Sequence, residues 1–142
     1  MSNLVIGSKF ERDFCKLLVE HGFYSLRIPK NAGGQQPADV LAVKGRYHAL
    51  IDCKVISGMK HGFDLRRVED NQRTAMKLFA QKGGENGWFA ICLPNLDIRM
   101  LALQTIEAVE MHGKHSLNLA ELSSPDFTWS FEQWLGRVEA WM

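Results

Sequence analysis

The sequence predicts an α/β domain, and three features of its 142 residues carry that expectation. Phe10, Phe14, Leu17 and Leu18 recur at helical spacing and read as the buried stripe of a first helix. Residues 40–55 read as two strands joined by a turn, with side chains alternating between two faces. Trp88 to Leu93 is a continuous apolar run, which suits a central strand.

Taken in order, Ser8-Lys9-Phe10-Glu11 resembles a capping box opening a helix that runs to about His21. Lys16 and Glu20 should pair across its exposed side, and Gly22 should end it. Phe23 to Ile28 is the first strand, stopped by Pro29. The loop to Pro37 holds Lys30, Asn31, Gly33, Gly34, Gln35 and Gln36; its glycines would let backbone approach a ligand. Val40 to Val43 and Tyr47 to Val55 then form a hairpin over Lys44-Gly45-Arg46. Ile56 to Arg67 is polar and reads as a mobile loop. A second helix opens at Val68 or Glu69 and reaches Gln81, with Ala75, Met76, Leu78 and Phe79 as its apolar face; Lys82-Gly83-Gly84 stops it. After Trp88 to Leu93 come a strand over Asp97 to Leu103 and a short helix over Gln104 to His112. Pro125 resets the chain, and Ser130-x-x-Gln133 caps a last helix bearing Phe131, Trp134, Leu135, Val138 and Trp141. That stripe suits core or subunit contact better than a platform for stacked bases. Trp129, Phe131, Trp134, Trp141 and the Met111-His112 end of the preceding helix are candidates for a twofold contact.

Length suits one domain spanning residues 1–142, and 46% apolar residues suit a globular core. No apolar run would span a bilayer and no signal-peptide pattern opens the chain. Cys15, Cys53 and Cys92 lack metal-ligand spacing and read as buried thiols of a cytoplasmic protein. Net charge is +1, but residues 1–82 carry 14 Lys and Arg against 8 Asp and Glu, while residues 83–142 carry 3 against 8. A basic half suggests a face for a polyanion. Lys9, Arg12, Arg27, Lys30, Lys60, Arg66, Arg67 and Arg73 are the candidate phosphate contacts.

The chemistry concentrates in Pro37 to Lys54. Asp52 and Lys54, two apart on a strand, share one face, while Ile51, Cys53 and Val55 point into apolar packing. Asp39 stands at the mouth of the partner strand, so pairing brings two carboxylates and a lysine to one edge. Side-by-side carboxylates repel unless a cation lies between them, and hard oxygen ligands select Mg²⁺ or Mn²⁺. An Asp-x-Lys also suits a solvated strand face, and an Asp after Pro-Ala suits a turn. Glu11 could cap the first helix or face the edge that carries Asp39 and Asp52.

Gly7-Ser8-Lys9-Phe10-Glu11-Arg12, Gly22-Phe23, Arg27-Ile28-Pro29, Pro37-Ala38-Asp39 and Ile51-Asp52-Cys53-Lys54 follow one another in order. Arg66-Arg67-Val68-Glu69-Asp70-Asn71-Gln72 and Phe79-Ala80-Gln81-Lys82-Gly83-Gly84 come after them. This set resembles the archaeal-type Holliday junction resolvases of the PD-(D/E)xK nuclease superfamily, and looks related to the bacterial RecU resolvases. The likeness covers roughly residues 7–93. It departs where Ala38 separates Pro37 from Asp39, and where residues 29–37 hold no serine.

The resemblance implies a restriction-endonuclease-like core, a mixed sheet of about five strands flanked by helices. It implies that Glu11, Asp39, Asp52 and the backbone carbonyl of Cys53 hold Mg²⁺ (Mn²⁺ substituting), that Lys54 orients water and stabilises charge, and that Gln72 supports the site. It further implies a symmetric homodimer cutting four-way junction DNA. A restriction-like or repair nuclease on the same fold, and a non-catalytic DNA-binding module, are the alternatives.

Overall fold

The computed structural model describes the backbone of residues 3–30, 36–58 and 62–142, and side chains from residue 6 onward. Asn31, Gly33, Gly34, Gln35 and Lys60, which the sequence singles out, lie outside the described residues.

Helix α1 spans Asn3–Glu20, opening five residues before Ser8. Ser8 is therefore inside the helix, not its cap, and its hydroxyl oxygen lies 3.4 Å from Arg27 Nη2. The expected stripe holds: Phe14 and Leu18 are fully buried and Phe10 nearly so. Lys16 and Glu20 stay exposed and form no ion pair among the described residues; Lys9 and Asp13 pair on this helix instead, at 2.6 Å. After Gly22, β1 (Tyr24–Arg27), β2 (Val40–Lys44) and β3 (Tyr47–Val55) form an antiparallel meander. Gly45, at φ +58°, takes the left-handed conformation that the tight β2–β3 turn requires.

A crossover through α2 (Asp70–Gln81) makes β5 (Trp88–Cys92) parallel to β3, and β6 (Ile98–Ala102) returns antiparallel. The last strand, β8 (Trp129–Ser130), pairs with β6, giving the order β1-β2-β3-β5-β6-β8. The sheet is mixed and flanked by helices as expected, with six strands where about five were anticipated. Periodicity could not find β8, because a two-residue strand has no period. β5 is buried along its whole length.

Two apolar layers hold the sheet. On one face α1 meets α5 (Phe131–Trp141), with Phe131, Trp134 and Val138 buried beside Phe14, Phe23 and Tyr47. The last helix is thus core, as its stripe suggested, and the Ser130–Gln133 capping box forms. Phe131 and Trp134 cannot also serve as a twofold contact; of the proposed apolar patch, Trp141 and Met111 keep large exposed surfaces. On the opposite face lie α2 and α3 (Leu103–Met111). Met76 carries the α2 contact, while Leu78 faces solvent, 53% exposed.

In the segment read as a mobile loop, Phe63 to Arg67 form regular structure. Strand β4 (Phe63–Asp64) pairs with β7 (Ser116–Leu117), a 3-10 turn follows over Leu65–Arg67, and α4 (Leu119–Leu122) comes after β7. Phe63, Leu65 and Leu117 are buried. Three apolar side chains spread over fifty residues look polar in any local window; only folding collects them. No helix among the described residues is long and apolar enough to cross a membrane.

Candidate active site

A cavity of about 520 Å³ opens where α1, β2, β3 and the start of α2 converge. Glu11, Lys30, Asp39, Asp52, Cys53, Lys54, Arg67, Glu69 and Gln72 line it. The fold therefore gathers all five expected catalytic residues, from four separate stretches, around one space.

Pairing of Val40 with Ile51 sets Asp39 beside β3. Its Oδ2 accepts the Cys53 backbone N–H at 2.7 Å, which fixes the carboxylate against the strand. Asp52 is 1% exposed; its Oδ1 accepts from Gln72 Nε2 at 2.9 Å. Lys54 Nζ lies 2.9 Å from Asp52 Oδ2, as expected of two residues sharing a strand face. That oxygen has no partner in hydrogen-bond geometry, so it keeps its charge contact and leaves a lone pair unused.

Gln72 is held from the other side. Its side-chain oxygen accepts the Glu69 N–H at 3.2 Å within the capping box of α2. One amide thus caps a helix and steadies the Asp52 carboxylate. Asn71 donates to the Gln36 carbonyl at 3.0 Å, and Gln36 to that of Ile28 at 2.7 Å, tying the approach to Asp39 onto α2.

Electrostatically the site is incomplete. Burial, and then the charge of Asp52, push the Asp39 carboxyl up to about 7. Burial, then Asp39, raise Glu11 as well, against the pull of Arg27 at 3.3 Å. Burial, then Asp39 and Asp52, push the Cys53 thiol well up. Two adjacent buried carboxylates, one raised by burial and the other with an oxygen that lacks a partner in hydrogen-bond geometry, form a donor set that a hard divalent cation fits. Glu11 lines the cavity but bonds to Arg27, and among the described residues no three His, Cys, Asp or Glu side chains converge as a metal cluster.

The candidate phosphate contacts divide. Arg73 does not face the site: its guanidinium grips Glu110 at 2.6 and 2.9 Å and joins α2 to α3, at 18% side-chain exposure. Two elements stacked by their apolar faces brought that acid within reach, which chain position could not reveal. Arg66 is bound by Asp64 and is exposed. Arg12 is exposed on α1, and Lys30 lies on the cavity rim. Sequence reasoning missed Glu69 as a wall of the site. Its signal was present, since a Glu three residues before Gln72 at a helix start is a capping-box pattern.

The sequence profile described as archaeal Holliday junction resolvase (Hjc) matches residues 2–123 of the chain. No curated protein matches it. Among solved structures, the 1.6 Å structure of *Archaeoglobus fulgidus* Hjc, a Holliday junction resolvase from an archaeal hyperthermophile, superposes with a TM-score of 0.66. The two are 21% identical, over 91% of this chain and 98% of that one.

Proposed function

The chain belongs to the archaeal Holliday junction resolvase family, a family of junction-resolving nucleases, and from that premise we propose a divalent-metal-dependent endonuclease acting on four-way junction DNA. The observation that carries the metal reading is the Asp39–Asp52 pair: two adjacent buried carboxylates with Lys54 2.9 Å from Asp52, burial and mutual charge raising the Asp39 carboxyl.

Asp39 and Asp52 would hold Mg²⁺ or Mn²⁺, with the Cys53 carbonyl and Glu11 as further oxygen donors. When bound, the ion supplies Lewis-acid polarisation of the phosphoryl oxygen and lowers the pKa of water. The side chains do the rest. Gln72 keeps Asp52 from rotating. Lys54, 15% exposed and leaning on Asp52, presents an ammonium to the reacting phosphate, where negative charge grows in the transition state. Arg12 and Lys30 are free of ion pairs among the described residues and suit phosphates flanking the cut. Such contacts follow backbone shape without reading sequence.

We place all of this in one domain, since α5 packs on α1 and β8 completes the sheet. The three free thiols suit a reducing compartment, the cytosol. A junction has paired scissile bonds, so we expect a twofold dimer, with Phe131 and Trp134 reserved for the core of each protomer. The test is cleavage of labelled four-way junction and matched duplex across a Mg²⁺ titration. Junction cleavage that requires Mg²⁺, with duplex left intact, is the expected result; metal-independent or duplex-preferring cleavage would remove the proposal. Sedimentation at twice the chain mass checks the dimer.

A further inference from the structure

The seven described cations among the candidate phosphate contacts differ in what already holds them. Lys9, Arg27, Arg66 and Arg73 each pair with a carboxylate. Arg12, Lys30 and Arg67 form no ion pair among the described residues, and of these only Lys30 and Arg67 line the catalytic cavity.

Arg67 is the one that the fold fixes. Its Nη1 donates to the Val55 carbonyl at 3.3 Å, next along the strand from Lys54, and its guanidinium lies 5.5 Å from the Phe63 ring centre. A guanidinium carries five N–H donors in a rigid plane that matches a pair of phosphate oxygens. One of the five is engaged here. Of the carboxylates acting on the group, Asp52 exerts the larger pull and Asp64 the smaller, which places the cation in the field of the proposed catalytic carboxylates.

The mounting is rigid as well. Arg67 closes the 3-10 turn after β4, and Phe63 and Leu65 are buried beneath it. At Gly62 a Cβ would overlap the Leu117 carbonyl oxygen, so the β4 and β7 backbones meet there without room for a side chain. Next door, Arg66 makes the opposite case: Asp64 binds it through its side chain, and it stands 89% exposed.

We infer that Arg67 is a catalytic residue of phosphodiester cleavage, binding the non-bridging oxygens of the scissile phosphate from the cavity wall. In that step a water oxygen bonds to phosphorus and the bond from phosphorus to one sugar oxygen breaks. The water gives up its proton to solvent and the departing oxygen takes one from solvent. Arg67 stays charged throughout and stabilises the negative charge that builds on the phosphate. The β4–β7 pair is the device that holds it in place. This inference rests on the nuclease reading above.

The experiment is single-turnover cleavage of labelled junction in Mg²⁺ by Arg67→Ala, Arg67→Gln and Arg66→Ala, with junction affinity measured separately in EDTA. Arg67→Ala should lose about 100- to 1,000-fold in rate, the range for removing one charge-stabilising donor, with affinity changed by less than about threefold. Free guanidinium ion should restore part of that rate and leave the wild type unaffected, which a merely structural arginine would not show. Arg66→Ala should stay within about twofold of wild type. Arg67→Gln keeps a donor for Val55 and an amide over Phe63, so it carries the same reading if the alanine variant does not fold. Wild-type rates in both Arg67 variants, a loss confined to affinity, or a lost rate that guanidinium does not recover would each overturn the assignment. A wild type that cuts while these variants cut equally well removes this inference alone; a wild type that never cuts removes the nuclease reading with it.

Discussion

Two buried carboxylate sites share this sheet and end differently. At one end Glu85 is 0% exposed and fully answered: Arg137 binds it through Nε and Nη2, Trp88 Nε1 donates at 3.1 Å, and the Asn86 N–H at 2.9 Å. The Arg137 guanidinium also lies over both the Trp88 and Trp129 rings, 5.6 and 5.7 Å from their centres. At the other end one lysine ion-pairs with Asp52, whose Oδ2 has no partner in hydrogen-bond geometry, and the Asp39 carboxyl is raised to about 7. The contrast separates two reasons for burying charge. Glu85 joins α5 to the sheet and is complete without a ligand. The aspartates lack such a set of partners among the described residues, which is why we propose a cation there. Burial alone identifies neither role; the count of partners does.

The sharpest way to break this comparison is to neutralise one carboxylate at each end. Asp39→Asn or Asp52→Asn should lower Mg²⁺-dependent junction cleavage by more than about 1,000-fold, since ligand charge is lost where metal and phosphate meet. Folding should survive, because amides of the same shape replace repelling charges. Either variant cutting at the wild-type rate would show that these aspartates are not the ligands.

At the structural end the effect belongs to stability. Glu85→Gln or Arg137→Ala should cost about 3–5 kcal/mol, the range for breaking a buried pair and leaving one charge unanswered. Chemical denaturation reads the loss, and the cleavage rate per folded molecule should hold. A variant as stable as wild type would make the pair dispensable.

Proton linkage distinguishes the two ends again. The Asp39 carboxyl is raised from 3.8 in the unfolded chain to about 7 in the folded one. The folded state therefore holds the extra proton, and the resulting stabilisation is complete below the unfolded value and lost as pH rises through about 7. In EDTA, stability should fall between about pH 4 and 7, by at most about 1.4 kcal/mol per pH unit. Asp39→Asn should flatten that slope. Mg²⁺ affinity should rise over the same window, since the ion displaces the proton. A flat wild-type profile in EDTA would mean that Asp39 titrates as an ordinary carboxylate.

The smallest expected effect concerns Arg73. Its replacement by Ala should lower stability by about 1–3 kcal/mol through the lost Glu110 contact, and should leave the salt dependence of junction binding unchanged. A slope of log affinity against log salt reduced by about one unit would return Arg73 to the phosphate contacts.

The strand pair of the candidate site was legible in sequence because its signal is local. Alternation from Val40 to Val55 assigns Asp52 and Lys54 to one face and Ile51 and Cys53 to the other, and β-pairing then leaves little freedom for Asp39. The buried stripes of α1 and α5 were readable for the same reason, as was the capping box at Ser130. Other features had no local trace. The start of α1 lay ahead of the Ser8 pattern, whose capping residues occur inside a longer helix. Arg66 and Arg67 are neighbours of one type, yet one faces Asp64 in solvent and the other enters the cavity.

Sequence by itself determined the α/β class, the strand that carries Asp52 and Lys54 and the chemistry of its donors. Those properties follow from side-chain type and from periods of two and 3.6 residues, which act between near neighbours. Only the tertiary structure decided which charges are answered. Gln72 reaches Asp52 from twenty positions away, Arg73 finds Glu110 and Arg137 finds Glu85 across the fold. Hydrogen bonds and ion pairs act over a few ångströms, so their partners are fixed by where the packed elements come to rest.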